Sequence, residues 1–79
     1  MYTVYVLEDN EGKLYKGMTN NMTRRLSEHK SGHTVTTRKM SGIKIVYREE
    51  YDTFLKARRG ELYLKSSAGR RFLKTVLGP

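Results

Sequence analysis

The segment that decides the fold is residues 2–19, which read YTVYVLEDNEGKLYKGMT. Tyr2 to Glu8 is rich in β-branched and aromatic residues and is apolar on both faces, which is typical of a central strand. Asp9-Asn10-Glu11-Gly12 predicts a tight turn with Gly12 in a left-handed conformation. Leu14 to Thr19 then returns as a second strand. The segment therefore predicts a β-hairpin.

The register of this hairpin decides which side chains share a face. If Gly12 forms a bulge in a three-residue loop, Tyr5 and Tyr15 lie on the same face, one pairing step apart. Gly17 lies on that face as well, opposite Tyr5, where a missing side chain leaves room for a ligand or another backbone. From the hairpin alone, two tyrosines packed in a small core are the simpler interpretation.

The rest of the chain predicts three helices, one strand and a basic loop. Asn20 or Asn21 can cap the first helix, and Asp52 or Thr53 the second. The stretch Ser66-Ser67-Ala68-Gly69 predicts an interruption before the last helix. The predicted elements are a helix to about residue 30, a basic loop at 33–42, a strand at 43–51, a helix to about residue 65 and a short helix at 70–77. The order β-β-α-β-α-α predicts an α/β (α+β) fold: one domain, residues 1–79, with a three-stranded antiparallel sheet flanked by helices.

The charge, the cysteine content and the hydrophobic pattern of the chain limit which partners and cofactors it can have. Sixteen Lys and Arg stand against eight Asp and Glu, which gives a net charge of +8. Such a basic chain attracts polyanions, with nucleic acid as the first candidate and a basic surface that serves only solubility as the alternative. There is no cysteine, which excludes a disulfide framework and a thiolate zinc site. No apolar run is long enough to span a bilayer and no signal peptide is recognisable, so we expect a cytoplasmic protein without a membrane partner.

Two polar residues lie on the apolar side of the first predicted helix. Met22 and Leu26 form the apolar stripe, and Arg25 and His29 fall on the same face at helical spacing. Polar groups that face inward are costly unless they find partners. The alternative is that both residues lie at the edge of the stripe and extend to water.

A carboxylate lies within the apolar stripe of the second predicted helix. Phe54, Ala57 and Leu64 form this stripe and Glu61 falls inside it. A carboxylate there must be paired, protonated or bound to a metal. An ordinary ion pair with Lys65, four residues on, is the structural alternative. A single carboxylate with waters and a substrate phosphate suits Mg²⁺, which keeps most of its hydration shell.

Taken in order, these residues resemble the GIY-YIG nuclease superfamily. Thr3-Val4-Tyr5 matches the tyrosine of the first motif but not its leading glycine, and Tyr15-Lys16-Gly17 matches the tyrosine and glycine of the second. Arg25 follows Tyr15 by ten residues, where the family places its helix arginine. Ala57-Arg58-Arg59-Gly60-Glu61 resembles the glutamate helix, and Gly69 to Lys74 resembles the tail of short stand-alone bacterial members. The superfamily includes homing endonucleases and a catalytic module of the excinuclease that acts in DNA repair.

The resemblance implies a catalytic role for five residues. Glu61 would hold one Mg²⁺, with Mn²⁺ as an alternative, beside the scissile phosphate. Arg25 would hold the non-bridging oxygens, Tyr5 would be the base or the water positioner, and Tyr15 would donate to the phosphate. His29 would orient Tyr15 or serve as an alternative proton acceptor. A base role for Tyr5 requires a nearby cation, because a free tyrosine has a pKa of about 10.

The expected substrate is DNA, in repair or recombination, bound through its phosphates. A partner protein that supplies specificity is compatible with so small a chain. A non-catalytic nucleic-acid-binding module with the same fold is the main alternative, and a basic adaptor for an acidic protein is a third. The residues expected to contact DNA are Lys16, Gly17, Arg38, Lys39, Arg58, Lys65, Arg70 and Arg71.

Overall fold

The computed structural model describes residues 1–32 and 37–78. Its elements are β1 (Tyr2–Glu8), β2 (Leu14–Thr19), α1 (Met22–Lys30), β3 (Lys44–Tyr51), α2 (Phe54–Lys65) and α3 (Ser67–Leu77). The predicted order β-β-α-β-α-α is confirmed. Residues 33–36 of the predicted basic loop lie outside the described residues. None of the helices in residues 1–32 and 37–78 combines the length and the apolar character that a membrane span requires.

The three strands form one antiparallel sheet in the order β2-β1-β3. The central position of β1 explains why this strand is apolar on both faces. Gly12 has a φ of 82° in the hairpin turn, and the Asp9 N–H donates to the carbonyl oxygen of Lys13 at 3.0 Å. Tyr5 pairs with Gly17, as the predicted register requires.

The helices cover the two faces of the sheet separately. Alternate residues of β1 point to opposite faces, so each face has its own core. The first core contains Tyr5, Leu7, Met22 and Ile43, and α1 covers it. The second core lies under α2 and α3 and contains Val4, Val6, Ala57, Leu64 and Leu73. The sheet is therefore the middle layer of three.

Two predicted boundaries are wrong. β3 begins at Lys44, one residue late, and α3 begins at Ser67, three residues before the predicted start. Ser66 is the N-cap of α3, and its hydroxyl accepts from the Gly69 N–H at 3.2 Å. The predicted interruption is therefore present but is confined to Ser66, and residues 67–69 form the capped first turn of α3. Gly69 is buried so close to the end of α2 that a Cβ would collide with the backbone of Tyr63.

Candidate active site

Three buried polar side chains are hydrogen-bonded in a row between β1 and the residues that follow α1. The Tyr5 hydroxyl lies 2.9 Å from Nε2 of His29, and Nδ1 of His29 lies 2.8 Å from Oγ1 of Thr37. Each of the three residues is 1% exposed. His29 therefore does not extend to water from the edge of the helix. Buried polar groups are almost always hydrogen-bonded, and this row meets that requirement inside the core.

The cap of α1 places His29 and Arg25 in this position. The Asn21 side chain accepts from the Arg24 N–H at 3.0 Å, which sets the first turn of the helix. Arg25 and His29 are then one turn apart on the face toward the sheet. The N–H of Ser31 closes the helix on the carbonyl of Ser27.

Tyr15 and Gly17 complete the sheet side of the cluster. The Tyr15 ring lies 4.8 Å from the His29 ring and 6.3 Å from the Tyr5 ring, measured between centroids. A Cβ on Gly17 would stand 2.6 Å from the Tyr5 hydroxyl oxygen. The Tyr5 hydroxyl is therefore in place only because residue 17 has no side chain.

Arg25 supplies the cation of the cluster. The pKa of Arg25 is raised above the already high value of a free arginine. The cause is hydrogen bonding from the guanidinium to the Tyr5 hydroxyl, to Glu28 and to the Tyr15 hydroxyl. The bond to Oε1 of Glu28 is 3.1 Å, and the Arg25 side chain is 31% exposed. Arg25 therefore stays charged and keeps access to solvent while it contacts both tyrosines.

Burial sets the protonation of Tyr5 and His29. It raises the pKa of Tyr5 above the ordinary 10.0, although the hydrogen bond from Arg25 opposes this shift. Burial also lowers the pKa of His29 below 6.5, and the charge of Arg25 lowers it further. At neutral pH the pair is therefore a phenol beside a neutral imidazole.

Glu61 approaches from the other layer of the molecule. It lies on α2, which packs against β1 and β2. Glu61 is buried with Ala57 and Leu64, as predicted, whereas Phe54 at the start of the helix is 56% exposed. The negative charge of Glu61 is near enough to Tyr5 to contribute to its raised pKa.

Both oxygens of Glu61 have cationic partners. Arg58 donates to Oε1 at 2.5 Å and Lys65 to Oε2 at 3.4 Å. The ion pair between Glu61 and Lys65, which the sequence offered as the alternative to a metal site, is thus present. A second ion pair joins Glu61 to Arg58. Both cations are 48% exposed, so these pairs are weak and can open when a ligand arrives.

The donor set of Glu61 limits which metal could bind. Among residues 1–32 and 37–78, no group of three His, Cys, Asp or Glu side chains could hold a metal ion. One nearly buried carboxylate fits a hydrated Mg²⁺ or Mn²⁺ that also binds a substrate phosphate. It does not fit a cation that needs a cage of protein ligands.

Three of the predicted DNA-contacting cations lie together beside β2. Burial lowers the pKa of the half-buried Lys16, and the like charges of Arg70 and Lys65 lower it further. Lys16, Arg70 and Lys74 line a groove of about 350 Å³, which Glu8 also touches. Lys16 on β2, Lys65 on α2, and Arg70 and Lys74 on α3 therefore form one positive surface. We call this surface the Lys16 groove.

The other predicted cations lie elsewhere. Arg38 donates from Nε to the carbonyl oxygen of Gly32 at 3.2 Å, at the end of α1. Lys39 and Arg71 are exposed. Thr37 was not predicted as a site residue, because its segment has no periodicity and contains several threonines, so nothing in the sequence separates this one from its neighbours.

The candidate site thus combines two tyrosines on the hairpin, an arginine and a histidine on the first helix and a glutamate on the second. The model of the GIY-YIG catalytic domain family matches residues 1–74. The chain belongs to this family, whose members are in general nucleases.

Proteins similar to this chain include several named UPF0213 proteins. One from Clostridium perfringens is 31% identical over 77 residues, which cover 96% of this chain and 83% of the relative. One from Bacillus licheniformis is 39% identical over 62 residues, which cover 77% and 64%. The solution NMR structure of a UPF0213 protein from Bacillus halodurans is similar with a TM-score of 0.59 and 29% identity, covering 96% of this chain and 85% of that one.

Proposed function

We propose that this chain is a metal-dependent endonuclease that hydrolyses phosphodiester bonds in DNA. The observation that carries the proposal is the buried hydrogen bond between Tyr5 and His29, with the Arg25 guanidinium on the same hydroxyl. A polar row in so small a core costs stability, and membership of a nuclease family gives it a use. With it we propose a cytoplasmic location, a role in repair or recombination and a partner protein that selects the site.

Neutralisation of the negative charge on the phosphate is the first requirement of the reaction. The Arg25 guanidinium can hold two non-bridging oxygens in a fork, and it is partly exposed and permanently charged. The Tyr15 hydroxyl, which Arg25 also contacts, can donate to the same phosphate. Glu61 would hold Mg²⁺ or Mn²⁺, which when bound supplies further positive charge beside the scissile phosphate.

Removal of a proton from the attacking water is the second requirement. A raised pKa makes a free phenolate at Tyr5 rare at neutral pH. Tyr5 can instead take the proton of the water while its own proton passes to Nε2 of His29, 2.9 Å away. The phenol stays neutral throughout, and the imidazole carries the proton. His29 thereby acts on Tyr5, not on Tyr15.

A cleavage assay tests the proposal. Supercoiled plasmid and a panel of single-stranded, nicked, flapped and branched DNA are incubated with Mg²⁺ or Mn²⁺, with and without a chelator. We expect cleavage that the chelator abolishes. DNA binding without cleavage in either metal, over the whole panel, would favour the non-catalytic binding module instead.

Lys16 should contribute one phosphate contact to DNA binding. The Lys16 groove adjoins Glu61 through Lys65, so a strand held at Glu61 can continue over these cations. We expect Lys16→Met to weaken binding equally for all sequences and to reduce the slope of log affinity against log salt by about one. Fluorescence anisotropy titrations over a KCl series measure this. Lys13→Met, on the exposed turn, is the matched control, and equal slopes for the two variants would remove Lys16 from the DNA path.

Replacing Tyr5 by Phe should remove the proton relay and keep the ring. Single-turnover cleavage should slow by about 10²–10⁴-fold, the usual contribution of a general acid–base group. Tyr15→Phe should cost less, because its hydroxyl assists the phosphate and not the nucleophile. Tyr47→Phe is the control, since its hydroxyl donates to the exposed Glu49 at 2.7 Å. A Tyr5→Phe variant as fast as this control would make Tyr5 a packing residue.

A further inference from the structure

The geometry points to Thr37 as a positioning residue that acts on Tyr5 through the tautomer of His29. The inference rests on the proposed function, because it concerns the proton that Tyr5 passes on. Thr37 is on the far side of the imidazole from Tyr5, with Oγ1 2.8 Å from Nδ1. It touches the histidine, not the reacting atoms.

Counting protons favours one direction for each hydrogen bond. The Arg25 guanidinium can only donate, so its interaction with the Tyr5 hydroxyl leaves the single hydrogen of that hydroxyl available for His29. We assign this hydrogen to the bond with Nε2, 2.9 Å away, in which Nε2 then accepts. A neutral imidazole has one N–H, so the hydrogen of His29 is on Nδ1 and is donated to Oγ1 of Thr37. The lowered pKa of His29 agrees with the neutral form.

The tautomer decides whether His29 can act. With hydrogen on Nδ1, the lone pair of Nε2 faces Tyr5 and can receive its proton. With hydrogen on Nε2, the ring would present a donor to Tyr5 and could receive nothing there. Which nitrogen of a histidine carries hydrogen is set by the partner of the other nitrogen. Thr37 is that partner, and at 1% exposure no bulk water can replace it.

Thr37 also connects the site to the surface. The Met40 N–H donates to the Thr37 carbonyl at 3.0 Å, which forms a short turn that carries Arg38 and Lys39. Both of these cations are among the residues that the sequence predicts to contact DNA. The residue that fixes the histidine thus starts the turn on which these two cations lie.

Nitrogen NMR tests the tautomer without any cleavage. In the His33→Gln background His29 is the only histidine, and its ring nitrogens can be observed in long-range ¹H–¹⁵N spectra at neutral pH. We expect a protonated, pyrrole-type shift at Nδ1 and a pyridine-type shift at Nε2. The opposite assignment, or a charged ring, would overturn the inference whether or not the Thr37 variants fold.

Substitutions at Thr37 test what the hydroxyl does. Thr37→Val keeps the shape and removes the acceptor, so the ring shifts should move toward a mixture of tautomers, and kcat should fall by about 10–100-fold with KM unchanged. Thr37→Ser should restore both the shifts and kcat. Thr23→Val, exposed on α1, is the control and should change neither.

The two proposals fail in different ways. If the parent protein cleaves no DNA, the proposed function fails, and the nitrogen shifts of the parent and of Thr37→Val still decide the tautomer. If the parent cleaves DNA and Thr37→Val has parent-like shifts and kcat, the role of Thr37 is wrong and the proposed nuclease stands.

Discussion

Glu61→Gln should abolish Mg²⁺-dependent and Mn²⁺-dependent cleavage. The amide keeps the shape of the side chain but loses the charge that would hold the cation, and among the described residues no group of three His, Cys, Asp or Glu side chains could hold the metal instead. The fold should persist, because the two ion pairs that are lost have half-exposed partners and contribute about 0–1 kcal/mol each. Plasmid cleavage and thermal unfolding, measured on the same preparation, check both statements.

The DNA affinity of this variant gives a second, independent measurement. Removing one negative charge raises the formal net charge from +8 by one and frees Arg58 and Lys65 for phosphates. Without metal, Glu61→Gln should therefore bind DNA at least as tightly as the parent. Glu49→Gln, an exposed carboxylate on β3, is the matched control for charge. Cleavage by Glu61→Gln at the rate of this control would make Glu61 a structural ion-pair residue.

Arg25→Ala should reduce cleavage by about 10³-fold or more. A guanidinium that stabilises the charge of a phosphoryl transition state contributes about 10³–10⁵-fold in other enzymes. Here the same group also donates to the hydroxyls of Tyr5 and Tyr15. Its loss therefore removes the positive charge and also leaves the two hydroxyls without the partner that positions them. Single-turnover rates at saturating DNA separate this effect from weaker binding.

Arg24 provides a matched comparison one residue away. It is exposed, and only its backbone N–H takes part in the α1 cap. Arg24→Ala should therefore weaken binding slightly at low salt and leave the single-turnover rate unchanged. Equal rate losses for the two variants would indicate a diffuse positive surface in place of a site.

The hairpin was the most predictable part of the fold. Its turn chemistry and its strand composition act locally, so Gly12, the register and the shared face of Tyr5, Tyr15 and Gly17 follow from neighbouring residues. The start of α3 was mispredicted because a run of small polar residues favours a loop and an N-cap equally well. Only the packing of Gly69 against the end of α2 decides between them.

The sequence could predict those positions in the site that depend on helix geometry alone. It could not predict those that depend on tertiary contacts. The inward position of His29 follows from its spacing to Arg25, but its bond to Tyr5 depends on how α1 crosses the sheet. Thr37 reaches the imidazole through a segment that has no periodicity. The pair of Glu61 with Lys65 could be foreseen, and the competing pair with Arg58 required side-chain coordinates.

The division of the site between two cores has a consequence during folding. Tyr5 belongs to the core under α1, whereas Glu61 lies on α2 over the other core. β1 belongs to both, and its pairing with β2 must be in register before either core is complete. A chain that has docked only one of its helix layers therefore has the tyrosine without the carboxylate, or the reverse. Under the proposed function, a nascent or damaged chain should not cleave DNA until the last layer is in place.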